Sequence, residues 1–211
     1  MKNVAEILLK LKAVSLNPKS PFKYSSGILS PIYTDCRILI SFPTQRQVIR
    51  DLYISEMEKT DKKFDVIAGT ATAGIPHAAW VADKLNLPMV YVRGKAKDHG
   101  KGNTIEGLVE KNQKVAVIED LISTGESSVE TAKALKEAGT NVDYVFSIMT
   151  YNMKKADDNF TDNNLRLITL TNIEELIDTA IEIGSIKQAE KKMILDWTAD
   201  PIGWGKKMGF E

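Results

Sequence analysis

The stretch VAVIEDLISTGESS, residues 115–128, decides how this chain is read. Val115, Ala116, Val117 and Ile118 are apolar and rich in β-branched side chains, the pattern of a strand buried on both faces. Glu119 and Asp120 break that run. Two adjacent carboxylates are costly to bury without partners, so they belong at a cleft. Ser123, Thr124 and Gly125 come next, then Ser127, Ser128 and the run VETAKALKEAG, which predicts a helix over about residues 125–138. Amides at a helix start bind an anion, and hydroxyls and glycine complete the cradle. Carboxylates just upstream can accept hydrogen bonds from sugar hydroxyls, so a ribose 5-phosphate offers what both halves of the stretch need. In the plainer alternative Thr124 caps a helix and the acids lie at the surface, as in any strand-loop-helix unit.

The same alternation extends on both sides. Upstream, DVIAG (residues 65–69) is a short apolar run ending in glycine, and helical patterns flank it, one opening at Pro43 with Val48, Ile49, Leu52 and Met57 on one face and one over residues 74–85. Strands are expected at residues 88–92, 115–119 and 142–149, with a further one at 165–170. Helices are expected at residues 173–183 and 186–197, and PIGWGKKMGF reads as a short closing helix and tail. Apolar strands separated by helices imply a mostly parallel sheet flanked by helices, with ligands beyond the carboxyl ends of the strands. At the N-terminus, MKNVAEILLKLKAV places Val4, Ile7, Leu8, Leu11 and Val14 at helical spacing. NPKSPFKYSSGILS (residues 17–30) reads as an irregular hood, followed by a short strand over residues 32–35. The expectation is one α/β domain over residues 1–211, with its helix and hood in about residues 1–40.

Composition narrows the choice of partners. Lysine and arginine number 28, as do aspartate and glutamate, so no global charge excess calls for nucleic acid or a membrane. No stretch is long enough to span a bilayer. Cys36 is the single cysteine, which excludes an internal disulfide and suits a reducing, cytoplasmic setting.

Residues 93–102, RGKAKDHGKG, are cationic, glycine-bearing and too long for a simple connection. Standing alone they read as a solvated basic loop; beside a phosphate cradle they read as a lid over residues 93–110. Arg93, Lys97 and His99 would deliver positive charge to an anionic leaving group, and His99 can also donate a proton.

The string apolar run, two acids, two apolar residues, hydroxyls and glycine resembles the diphosphoribosyl-binding motif of type I phosphoribosyltransferases. Arg-x-x-x-Lys-Asp-His-Gly resembles the catalytic loop of the orotate phosphoribosyltransferases within that family. FKYSSGILSPIYTD (residues 22–35) is similar to the family's hood and GTATAGIP (residues 69–76) to its pyrophosphate loop. The resemblance implies the type I phosphoribosyltransferase fold and transfer of a 5-phosphoribosyl group from its 1-diphosphate to orotate. It also implies that Glu119 and Asp120 hold the ribose hydroxyls and that Leu121, Ile122, Ser123, Thr124, Gly125, Glu126 and Ser127 wrap the 5-phosphate. By the same resemblance Ser123 would lie near the base, and Thr70, Ala71, Thr72 and Ala73 would face the diphosphate. Arg93, Lys97 and His99 would act from a lid shared across a homodimer, and Mg2+ would be held mainly by the substrate. The chain departs from relatives at Gly94, where many carry a second basic residue, and at Ser25 and Ala73, where others carry lysines. Glu126 is an unexpected anion beside a phosphate, its side chain read as turned to solvent.

Other readings fail or weaken. Gly69 and Gly74 have nucleoside-triphosphate P-loop spacing, but Ile75 and Pro76 stand where lysine and a hydroxyl are required. GKGNTIEG (residues 100–107) lacks the dinucleotide-binding glycine spacing. A regulator that senses phosphoribosyl diphosphate and binds nucleic acid would need a basic surface, which the balanced charge does not supply. A purine phosphoribosyltransferase would keep the cradle and change the hood. His77 is read as a packed or surface histidine, Trp80, Trp197 and Trp204 as core or interface residues, and Cys36 as a small packing residue.

Overall fold

The computed structural model describes residues 2–94 and 104–210. Helix α1 (Lys2–Lys10) leads into two small antiparallel ribbons, in which β1 (Val14–Leu16) pairs with β4 (Ile32–Thr34) and β2 (Phe22–Lys23) pairs with β3 (Leu29–Ser30). The helical spacing predicted through Val14 stops short. The chain turns at Lys12, whose φ is 56°, and Val14 buries its side chain from a strand instead. A 3-10 turn, Cys36–Ser41, then delivers the chain to α2 (Pro43–Glu58), which begins on proline because a first-turn residue needs no N–H.

The rest is a six-stranded sheet with helices on both faces. Its elements are β5 (Val66–Thr70), α3 (Gly74–Leu85), β6 (Met89–Val92), β7 (Ile105–Glu106), β8 (Lys114–Ile122), α4 (Glu126–Glu137), β9 (Asn141–Thr150), α5 (Lys154–Asp162), β10 (Arg166–Asn172) and α6 (Ile173–Glu182). The spatial order is β10-β9-β8-β5-β6-β7, parallel throughout except for β7, which runs antiparallel to β6. β7 lies inside residues 93–110, which the sequence pattern assigned to a lid without a strand. The helix expected over residues 186–197 starts later, as α7 (Lys191–Ala199), after a 3-10 turn at Gln188–Glu190. The closing α8 (Trp204–Lys207) follows it.

Consecutive strand side chains point to opposite faces, and both faces of this sheet are packed. Along β8, Ala116 and Ile118 join one core with Ile67, Phe146 and Ile148, whereas Val115 and Val117 join a second core with Val66, Ala68 and Val145. The second core is closed by Val129, Ala132 and Leu135 of α4 and Ala156 and Phe160 of α5; the first is closed by the N-terminal helices and α6. Trp197 and Trp204 are buried in the first core, as expected of packing residues. Trp80 is half-buried beneath the Arg46 guanidinium, 4.8 Å from its ring centroid.

Gly74 shows how closely the elements approach. A Cβ there would overlap the Ile118 carbonyl oxygen, so only glycine lets α3 start against β8. Gly74→Ala is expected to lower stability by roughly 1–3 kcal/mol, the cost of forcing an extra carbon into a packed site. Thermal denaturation with an unchanged midpoint would show that β8 can move away.

Candidate functional site

β8 runs three residues farther than the sequence pattern suggested. Its pairing with β5 stops at Gly69 opposite Ile118, while pairing with β9 continues to Ile122 opposite Thr150. Glu119 and Asp120 therefore stand on a strand, not at its end. Leu121 and Ile122, expected to belong to the cradle, are strand residues that line the cleft, and the Ile122 side chain is buried in the second core. The Tyr151 N–H donates to the Ile122 carbonyl at 3.0 Å and ties the last strand residue down.

Past Ile122 the chain bends over Ser123 and Thr124 and enters α4 through Gly125, whose φ of 76° is the left-handed region that favours glycine. A Cβ at Gly125 would also lie 2.6 Å from Phe160. Among the described residues α4 has no side-chain cap at Gly125, so Thr124 is not spent on capping the helix. Asn159 of α5 donates to the Thr124 carbonyl at 2.8 Å and holds the bend from behind.

These residues enclose a cleft of about 240 Å3, lined by Glu119 through Ser128 on one side and by Ala71, Thr72 and Ala73 on the other. Ser123, Glu126 and Ser127 are exposed. A neighbouring hollow of about 170 Å3 shares Ala71 and Ser127 and adds Thr70, Arg93, Gly94 and Thr104. Two buried polar atoms in its lining, Thr70 Oγ1 and Arg93 Nε, have no hydrogen-bond partner among the described residues. The structure thus gathers the acids, cradle, pyrophosphate-loop residues and Arg93 around two adjoining spaces. Lys97 and His99, and Lys95 with them, lie outside the described residues. A larger hollow of about 530 Å3 lies where α2 and α3 end, between residues such as Met57, Phe64 and Leu87. It has neither the acidic pair nor a helix start, so its size does not make it the site.

Electrostatics mark the carboxyl pair. Glu119 is 7% exposed; it accepts from the Asp120 N–H at 3.0 Å and from Ser128 Oγ at 3.3 Å. Burial pushes its carboxyl well above the ordinary range, and the adjacent Asp120 charge pushes it further. Burial also raises Asp120, against the pull of hydrogen bonds and of Arg37. Together the two carboxyls favour keeping a proton in the cleft. An arriving cation, or hydroxyl donors, would relieve that repulsion. Arg37 is gripped by Asp35 through bonds of 2.6 and 2.9 Å.

Two charges in the sequence motifs are already paired. Glu126 is exposed as expected and forms an ion pair with Lys155 of α5, which offsets an anion beside the cradle. The Arg93 guanidinium is paired with Glu106 of β7, and the Arg93 backbone N–H donates to the Thr104 carbonyl at 2.9 Å. His77 is packed between Tyr53 and Trp80, and burial lowers it to about 4, so it is neutral at ordinary pH. Cys36 is buried with its thiol pushed well up, a packing residue.

Sequence reasoning missed Ser128, Arg37, Glu106, Lys155 and Tyr53, whose Oη donates to the Glu119 carbonyl at 2.6 Å. Ser128 sits in the decisive stretch and carried a usable signal, since its hydroxyl falls one helical turn past the bend. Tyr53 lies 66 residues from its partner and carried none.

Three comparisons bear on these residues. The phosphoribosyl transferase domain matches residues 43–183. The chain is 51% identical over 205 residues to the orotate phosphoribosyltransferase of Enterococcus faecalis, covering 97% of this chain and 98% of that one. It is 48% identical over 201 residues to that of Coxiella burnetii, covering 95% and 96%. The crystal structure of orotate phosphoribosyltransferase from Aeropyrum pernix superposes with a TM-score of 0.76 at 27% identity, covering 87% of this chain and 99% of that one.

Glu119→Gln tests the buried charge. In the folded chain this carboxyl holds its proton to higher pH than in the unfolded chain. Its stabilising contribution is therefore complete below the ordinary value of 4.5 and is lost as pH rises through the raised folded value. At neutral pH and above, the variant is expected to melt higher than the parent, by on the order of 1 kcal/mol. The gap should close as pH falls toward 4.5. Melting curves across pH that show the variant less stable at neutral pH would contradict the assignment.

Proposed function

We propose a function for a chain that belongs to the phosphoribosyltransferase family: it is an orotate phosphoribosyltransferase. It transfers the 5-phosphoribosyl group of 5-phosphoribosyl 1-diphosphate to orotate, giving orotidine 5'-phosphate and diphosphate in pyrimidine biosynthesis. The observation that carries this reading is the single cleft in which paired carboxyls on β8 face a helix start and exposed hydroxyls. One half suits ribose hydroxyls, the other a phosphate.

In this reading N1 of orotate attacks the anomeric carbon as the bond to diphosphate breaks; the diphosphate leaves with the bonding electrons and takes up the proton that N1 gives up. The ribose passes through oxocarbenium character, so the chain acts by alignment and by stabilising the departing charge. Glu119 and Asp120 accept from the ribose hydroxyls. The amides of residues 124–127, with the hydroxyls of Thr124 and Ser127, hold the 5-phosphate, and Ser123 faces the base. The loop of Thr70, Ala71, Thr72 and Ala73 and the Arg93 guanidinium meet the diphosphate from the adjoining hollow. Lys97 and His99 supply further charge from the lid.

Mg2+ is part of the proposal. The donor chemistry fits, since the cleft offers carboxylate oxygens whose mutual repulsion a cation relieves. Among the described residues no group of three or more histidines, cysteines and acids could hold a metal ion. Glu119 and Asp120 would therefore orient a substrate-held ion, which when bound neutralises diphosphate charge. The proposal also includes a homodimer with shared lids and a cytoplasmic location. No helix among the described residues is long and apolar enough to cross a membrane.

A spectrophotometric assay with orotate, adenine, guanine, hypoxanthine and xanthine tests the reading. Turnover with orotate alone is expected, and turnover with a purine instead would overturn it. Asp120→Asn is expected to weaken phosphoribosyl diphosphate binding by about ten-fold or more, the scale of a lost charged hydrogen bond. Unchanged affinity by calorimetry would take the acid out of the site.

Lys97→Ala is expected to lower kcat far more than it weakens that binding. If lids are shared, mixing it with Asp120→Asn should restore roughly a quarter of parental activity, since half the dimers are hybrids with one intact site. Two inactive variants that stay inactive after subunit exchange would argue for self-contained sites.

A further inference from the structure

The geometry points to Tyr53 as a positioning residue for the acidic pair, acting through the backbone of Glu119 from the opposite side of the strand. This inference rests on the function proposed above. Tyr53 is fully buried in α2, far from the cradle in sequence, and its Oη donates to the Glu119 carbonyl at 2.6 Å. Its ring packs against His77 of α3, with centroids 6.3 Å apart, so the phenol is fixed between two helices.

The need for such a contact follows from the sheet. Beyond Ile118, β8 is not paired on the β5 side, since that register ends at Gly69 and β5 itself ends one residue later, at Thr70. The two acids therefore sit on a part of β8 that, among the described strands, pairs only with β9. Their charges repel each other there. A hydrogen bond of 2.6 Å to the carbonyl between them fixes the backbone at that point. Burial raises the phenol well above its ordinary range, so the hydroxyl stays a donor at any working pH. The residue touches neither cleft nor substrate; it fixes the direction in which Glu119 and Asp120 meet the ribose.

Tyr53→Phe removes only the hydroxyl. Tyr144→Phe is the control, since it removes a comparable hydroxyl bonded to Asp61 at 3.0 Å, outside the cleft. Calorimetry and steady-state kinetics on the full chain are expected to give Tyr53→Phe a five- to ten-fold weaker Kd and higher KM for phosphoribosyl diphosphate, roughly the effect of one hydrogen bond. Its KM for orotate should stay within about two-fold, and Tyr144→Phe should leave both substrates unaffected on the same scale. A merely structural role would move both KM values together, or move them equally in both variants, and either outcome overturns the inference. So does a Tyr53→Phe Kd within about two-fold of the parent. Because the Kd is measured without a base, it decides this point even if orotate proves not to be the acceptor. Absence of orotate turnover in the parent would sink the proposed function instead.

Discussion

Two neighbouring carboxyls on one strand, in a cleft that solvates them poorly, set the constraint on which the rest of the site depends. Left to itself such a pair holds a proton between its members or pulls the strand apart. Each surrounding feature answers that problem. Ser128 and the Asp120 amide donate to Glu119, Arg37 pulls on Asp120, and Tyr53 pins the backbone between them. What these contacts leave unsatisfied is a demand for hydroxyl donors and positive charge, the demand that a ribose with its accompanying cation would meet in the proposed function. Affinity would then arise from a deficit built into the protein, at some cost in stability.

The phosphate half of the cleft works by the opposite principle. It needs no fixed cation, since the helix start offers backbone amides and has no side-chain cap at Gly125. Glu126, the acidic residue of the helix's first turn, is occupied by Lys155. A cradle made of backbone depends on the path of the chain more than on side-chain identity, and that path is fixed by Gly125 against Phe160 and by Asn159 holding the Thr124 carbonyl.

Much of this was legible in the sequence for a physical reason: buried parallel strands must be continuously apolar, so an acid pair interrupting one is conspicuous. The sheet, the flanking helices and the helix opening at Pro43 followed from such patterns, whereas the loop of residues 69–76 was singled out by family resemblance. What escaped were distinctions that local pattern does not carry. Val14 satisfied helical spacing, yet it buries equally well from a strand once the chain turns at Lys12. Leu121 and Ile122 looked like loop because the acids precede them, but β9 extends far enough to keep them in the sheet. Glu106 and Tyr53 matter through partners brought near only by folding.

The antiparallel junction of β6 and β7 has a consequence for how the chain can vary. Tyr91 faces Glu106, Val92 faces Ile105, and the Arg93 amide and guanidinium fasten the same junction. Arg93 and Thr104 thus meet at one point on the sheet edge, where strand pairing, a backbone hydrogen bond and an ion pair act together. Three contacts of different kinds share that point, so no single substitution there unfastens the edge.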